Sequence, residues 1–126
     1  MKNFIFANNE TQESSIYLFL AVISSGLNTQ QQLFYELSHK LTFPTYFGLN
    51  LDALFDCLTD LSWIEQHDII IVHKDIPELE TVQLKAYLEV LNDAILDWKN
   101  DGLHSLHVIF PVTAEVYLSK IFATLC

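Results

Sequence analysis

Arginine is absent from this chain of 126 residues, and six lysines stand against 16 acidic side chains. Arginine is the residue best shaped for bidentate phosphate contact. Its absence, with a net charge of −10 and a pI near 4.6, argues against direct binding of nucleic acid. The field favours a basic partner, such as a cationic protein. The same acidity also serves plain solubility. Three well-separated glycines leave no loop to cradle a phosphate. Two cysteines, Cys57 and Cys126, make no disulfide framework and point to a reducing cytosol. The apolar run 17–23 is too short to span a bilayer, and 4–7 is too short for a signal-peptide core. No linker, repeat or low-complexity stretch breaks the chain, so residues 1–126 read as one cytoplasmic domain.

What is present is apolar and periodic. Residues 4–7 and 16–24 are aromatic and β-branched and flank the polar stretch 8–15, the pattern of a hairpin-like pair with a long loop. Residues 16–23 are apolar on both faces and read as a buried central strand. Thr29 and Gln32 form a capping box ahead of Leu33, Phe34, Leu37 and Leu41 at helical spacing. Pro44 and Gly48 bracket a turn. Asn50 then caps a second helix with a leucine stripe at 51, 54, 58 and 61. Residues 69–72 form another buried strand. A long helix carries Leu84, Tyr87, Leu88, Leu91, Ile95 and Trp98 on one face and ends at Gly102. A short strand at 106–110 follows. Thr113 caps a last helix with Tyr117, Leu118, Ile121, Phe122 and Leu125 inward. Strands separated by helices predict an α/β domain: a parallel sheet covered by helices, with an antiparallel N-terminal edge strand.

The second helix carries the functional signal. Asp52 lies in its first turn, where the helix dipole favours an anion by about 0.3–1 kcal/mol. Asp56 is four residues on, on the same face, where like charges cost about 0.2–0.5 kcal/mol. Asp60 extends the row toward the C-terminal end, which disfavours anions. No basic residue falls between Lys40 and Lys74 to neutralise it. Tyr46, Phe47 and Phe55 lie in or beside the same turn and helix. Such a row is often only a solvated face. Aromatic anchors beside unpaired charge are the composition of an interface centre.

The stretch 44–59, Pro-Thr-Tyr-Phe-Gly-Leu-Asn-Leu-Asp-Ala-Leu-Phe-Asp-Cys-Leu-Thr, resembles the core motif of the barstar family of intracellular ribonuclease inhibitors. The resemblance implies a three-stranded parallel sheet covered by helices. It implies that the turn and helix plug the active site of a basic ribonuclease-type toxin, making the chain an immunity protein with no catalytic activity. Carried over residue by residue, it places Tyr46 on the nuclease rim. Asp52 and Asp56 face the cationic centre, with Asp56 standing in for substrate phosphate. The surrounding contact surface takes in Phe47, Gly48, Asn50, Phe55 and Asp60, and a late-helix acidic contact falls on Asp97 or Asp93. The chain departs from the family at Phe55, where the motif has Trp, and at Leu49, where it has an acidic residue. Residues before about 17 and after about 112 have no counterpart in the small family member.

Weaker constellations fill the rest. His104 and His107, three apart in an extended segment, point to opposite faces and make a poor metal pair. His39, His67 and His73 read as surface or strand-end residues. Cys57 sits mid-helix, away from a helix N-terminus that would activate a thiolate. The reading calls for no metal and no cofactor. Two rivals stand beside it: a metal-dependent hydrolase using Asp52, Asp56 and Asp97 as ligands, and an acidic module that docks a non-toxin basic protein.

Overall fold

The computed structural model describes residues 3–8, 17–44, 48–101 and 104–123. In chain order the elements are β1 (Phe4–Phe6), β2 (Leu18–Ile23), α1 (Gln30–Lys40), α2 (Leu51–Asp60), β3 (Asp68–His73), α3 (Thr81–Asp101), β4 (Ser105–Phe110), a 3-10 turn (Val112–Ala114) and α4 (Glu115–Ala123). The strands form one wholly parallel sheet in the order β1-β4-β3-β2. Parallel neighbours need long crossovers, and α1 with α2 and then α3 supply them between β2, β3 and β4.

Strand periodicity decides where the core lies. One face presents Phe4, Ala21, Ile23, Ile69, Ile71, Leu106, Val108 and Phe110, all buried. These merge with Leu33, Phe34 and Leu37 of α1, Leu54 and Leu58 of α2, the long stripe of α3, and Leu118 and Ile121 of α4. The helices therefore cover the sheet from that face. On the other, Leu18, Leu20, Val22, Ile70 and Ile109 are half-buried.

The N-terminal strand differs from expectation. It is parallel rather than antiparallel, and it pairs with β4 at the far edge from β2. Phe4 and Phe6 pack on Phe110 with ring centroids 5.6 and 6.4 Å apart. Cross-strand aromatic contact of this kind stabilises a pairing by about 0.2–1 kcal/mol. Sequence proximity to β2 offers no equivalent contact. β2 is correspondingly an edge strand, not a central one; β3 and β4 are the central pair. An apolar run marks burial but does not say on how many sides a strand has neighbours.

The capping box holds with a shift: the Gln32 N–H donates to Thr29 Oγ1, while Gln32 Oε1 accepts from the Asn28 N–H rather than that of Thr29. At the other end of the chain Thr113 does not cap the last helix. Pro111 opens the 3-10 turn with its fixed φ of −58°, the Ala114 N–H donates to its carbonyl, and Thr113 lies exposed inside that turn. Buried Ala114, Leu118 and Ile121 set the inner stripe, and Tyr117 falls outside it, 47% exposed. The expected roles of Gly102, Phe122 and Leu125 concern residues or side chains outside the described residues, as does Cys126.

His73 ends β3 as expected but is buried, 1% exposed. Its ring stacks on Phe110 at 4.1 Å. Nδ1 lies 3.2 Å from the Ile109 carbonyl, which can only accept, so Nδ1 carries the proton. Nε2 then accepts from the Tyr87 hydroxyl at 2.6 Å. Burial pushes the His73 pKa down to about 4, against a smaller upward pull from Ile109, and burial pushes the Tyr87 phenol up. The unfolded chain binds the His73 proton more readily than the folded one, so stability present above about pH 6.5 is lost as pH falls toward 4. The loss amounts to about 3 kcal/mol. Urea midpoints measured across that range should fall with pH, and His73→Gln should flatten the slope; a variant with the parent's slope would assign it elsewhere.

Candidate functional site

α2 is fixed at both ends and along its inner face. Asn50, in extended backbone (φ −139°, ψ 169°), accepts from the Ala53 N–H through Oδ1 at 2.8 Å. Its Nδ2 donates to the Gly48 carbonyl at 3.1 Å. A Cβ on Gly48 would come within 3.1 Å of that same Nδ2, so glycine leaves room for the cap. Leu49 bears the conformational cost of the turn: its φ is 51°, and it is 40% exposed. A left-handed leucine costs about 1–2 kcal/mol. Leu61 closes the helix, again left-handed (φ 47°), where glycine is usual; its side chain is fully buried, which holds it there.

The orphan carbonyls of the last turn find partners. The Leu61 N–H donates to the Cys57 carbonyl, and the Trp98 indole N–H donates to the Leu58 carbonyl at 2.6 Å from across the α2–α3 interface. Just beyond α2, Trp63 Nε1 donates to the Leu41 carbonyl at 2.8 Å and packs edge-on against Phe43. The two ends of the segment carrying α2 are thereby tied together at the end of α1.

On this frame Asp52, Asp56 and Asp60 are all exposed. Among the described residues none of them has a salt-bridge partner. Phe55 is half-buried beside them. Asp93 and Asp97 are exposed on α3, also without a salt-bridge partner among the described residues. Tyr46 and Phe47 lie outside the described residues. The structure thus brings the α2 aspartates, Asn50, Gly48 and Phe55 onto one rigid element and leaves Asp93 and Asp97 on the helix packed against it. Leu49 was legible only as a departure from the motif; no sequence signal marks a leucine for left-handed backbone.

Cys57 is buried. Burial pushes its thiol up, and Asp56 and Asp60 push it further, so it is held as an unreactive thiol. Among the described residues no three His, Cys, Asp or Glu side chains gather as a metal-ligand set. Among them, too, no helix is long and apolar enough to cross a membrane.

The model of the family described as Barstar (barnase inhibitor) matches residues 17–110. This chain belongs to the barstar family. The matched span runs from β2 to β4 and holds the whole acidic helix; β1 and α4 lie outside it. A protein of Bacillus subtilis (strain 168), named "Putative ribonuclease inhibitor YrdF", is 39% identical over 70 residues, which cover 52% of this chain and 72% of that protein.

If the Trp98 bond anchors the acidic helix, Trp98→Phe should cost about 2–4 kcal/mol, through the lost packing and the stranded Leu58 carbonyl. Amides of residues 58–61 should lose hydrogen-exchange protection before those of β3. A loss under about 0.5 kcal/mol by chemical denaturation would remove the anchor from the account.

Proposed function

We propose that the chain is a ribonuclease inhibitor, an immunity protein that blocks the basic active site of a ribonuclease-type toxin inside the cell that makes it. The observation that carries this reading is the row of three exposed aspartates on a doubly capped helix with no salt-bridge partner among the described residues. Barstar-family membership and the name of the Bacillus relative support it.

The physical case is short. A nuclease holds phosphate with positive charge, so an anionic plug competes directly with substrate. Asp56, mid-helix and without help from the dipole, is the group that substitutes for phosphate. Asp52 is already favoured by the helix N-terminus and adds to the same field. Tyr46, Phe47 and Phe55 supply the contact area, with Asp60 and one of Asp93 or Asp97 at its margin. A net charge of −10 speeds encounter with a cationic enzyme, more at low salt. The inhibitor acts by occupancy and needs no catalytic group, cofactor or metal.

Leu49 gives this member its own contact. An exposed apolar side chain held in costly backbone beside the acidic row is retained for what it touches. It fits an apolar spot on the nuclease rim.

Binding to a basic ribonuclease-type toxin from the same organism tests the assignment. Asp56→Ala should weaken the complex by about 2–5 kcal/mol without loss of fold; unchanged affinity would sink the site. Leu49→Gly should leave stability within about 1 kcal/mol, as relieved strain offsets added chain entropy. It should weaken the complex by more than about 1 kcal/mol. Equal affinity would remove Leu49 from the interface.

A further inference from the structure

The sheet edge that lies partly beyond the family match borders an open-sided cavity of about 400 Å³ between β1, the start of β4 and the last turns of α3. Its composition runs against that of the chain. The protein has a net charge of −10 with five histidines and six lysines. Three of those histidines (His67, His104 and His107) and Lys99 line this one cavity, and no carboxylate is among its described lining. Asp68 sits outside it, 3.2 Å from the His67 ring.

His104 and His107 were expected on opposite faces of a strand. β4 starts at Ser105, so His104 is not held to strand alternation, and both residues line the cavity.

The polar groups are arranged and incompletely used. Lys99 Nζ donates to Asn3 Oδ1 at 3.0 Å, and Asn3 Nδ2 donates to Asn92 Oδ1 at 2.7 Å. That network fixes the ammonium at the cavity wall on a neutral partner and leaves it further donors. Ser105 Oγ lies 2.7 Å from His107 Nε2. His104 Nε2 donates to the Ile64 carbonyl at 3.1 Å. Its Nδ1, left as an acceptor, is buried with no hydrogen-bond partner among the described residues and takes no part in holding an anion. The remaining wall is apolar: Trp98, Ile95 and Leu106, closed by Ile5 of β1.

We infer that this cavity is a binding site for a small organic anion with a flat apolar body. The head, a phosphate or carboxylate, sits against Lys99, Ser105 and His107; the body lies against Ile5 and the narrow edges of Ile95, Trp98 and Leu106 that the cavity reaches. The size suits a ligand of that class. Ile5 of β1 and Asn3 just before it complete the site, which gives the added strand a role besides extending the sheet. The inference is independent of the inhibitor reading, because the residues of α2 take no part in it.

Phenyl phosphate and, separately, inorganic phosphate are titrated into the labelled full chain and followed by NMR. Phenyl phosphate should shift the Trp98 indole and the amides of 104–107 saturably, with inorganic phosphate roughly tenfold weaker for want of the ring. Lys99→Met should weaken phenyl phosphate roughly tenfold. Ser105→Ala, which leaves the Lys99–Asn3 bond in place, should weaken it several-fold and decides the matter if Lys99→Met does not fold. No saturation by about 10 mM would overturn the site. So would equal affinity for the two anions, or binding indifferent to both substitutions.

Discussion

The bond from the Trp98 indole to the Leu58 carbonyl is the constraint on which the rest of the structure depends. It joins residues forty apart in sequence and is buried in the α2–α3 interface. A helix with three aspartates and no basic residue gains little from its outer face: the dipole favours Asp52, and each like-charged neighbour subtracts about 0.2–0.5 kcal/mol. Its stability comes from within. Leu54 and Leu58 are fully buried, and burial of one such side chain contributes about 1.5–3 kcal/mol. That margin exceeds the repulsion several-fold, so the acidic face is tolerated at modest cost. The indole adds direction, because it satisfies a carbonyl that the helix terminus would otherwise leave open. The ring then turns its other contacts to His104 and the cavity beyond.

Much of this was legible in the chain. The α2 cap and its leucine stripe follow from Asn50 and the 51-54-58 spacing, and the structure shows both. The helix positions of α1 and α3 follow from their apolar periods in the same way. Strand identity was legible and strand order was not. Residues 16–23 look central because they are apolar throughout, yet nothing in a single run records which neighbours it will have. β1 went to β4 because Phe110 meets Phe4 and Phe6 across the sheet. That contact brings together residues about a hundred positions apart, and local pattern does not carry it.

The candidate site divides in the same manner. Its acidic residues and its cap are local and were visible. The left-handed leucines at 49 and 61 run against local propensity and were not. Each persists because something outside the residue over-determines it, burial at 61 and the turn into the Asn50 cap at 49. The buried His73–Tyr87 pair is a second case. A histidine after four apolar strand residues looks like a strand end, and only the packed core shows that a tyrosine in the α3 stripe supplies its hydroxyl.

Charge is therefore sorted by location more than by quantity. The aspartates of α2, with Asp93 and Asp97 of α3, gather on exposed helix faces with no salt-bridge partner among the described residues. The cavity at the β1–β4 edge gathers one lysine and three imidazoles with no acid in its described lining. A distribution serving solubility alone would mix the signs, since mixed surfaces suppress unwanted association as well as segregated ones do and add small ion-pair gains. Segregation instead gives up those gains along α2, and at the cavity only the His67–Asp68 contact at its rim retains one. The sacrifice is small in energy, about a kilocalorie per missing surface pair at most, and at each place it produces a region of one sign. A field of one sign selects a partner of the other, and the two regions select in opposite directions. Trp98 forms part of the structure behind both. It holds α2 from one side and walls the cavity from the other, so the geometry of each region depends on the same buried ring.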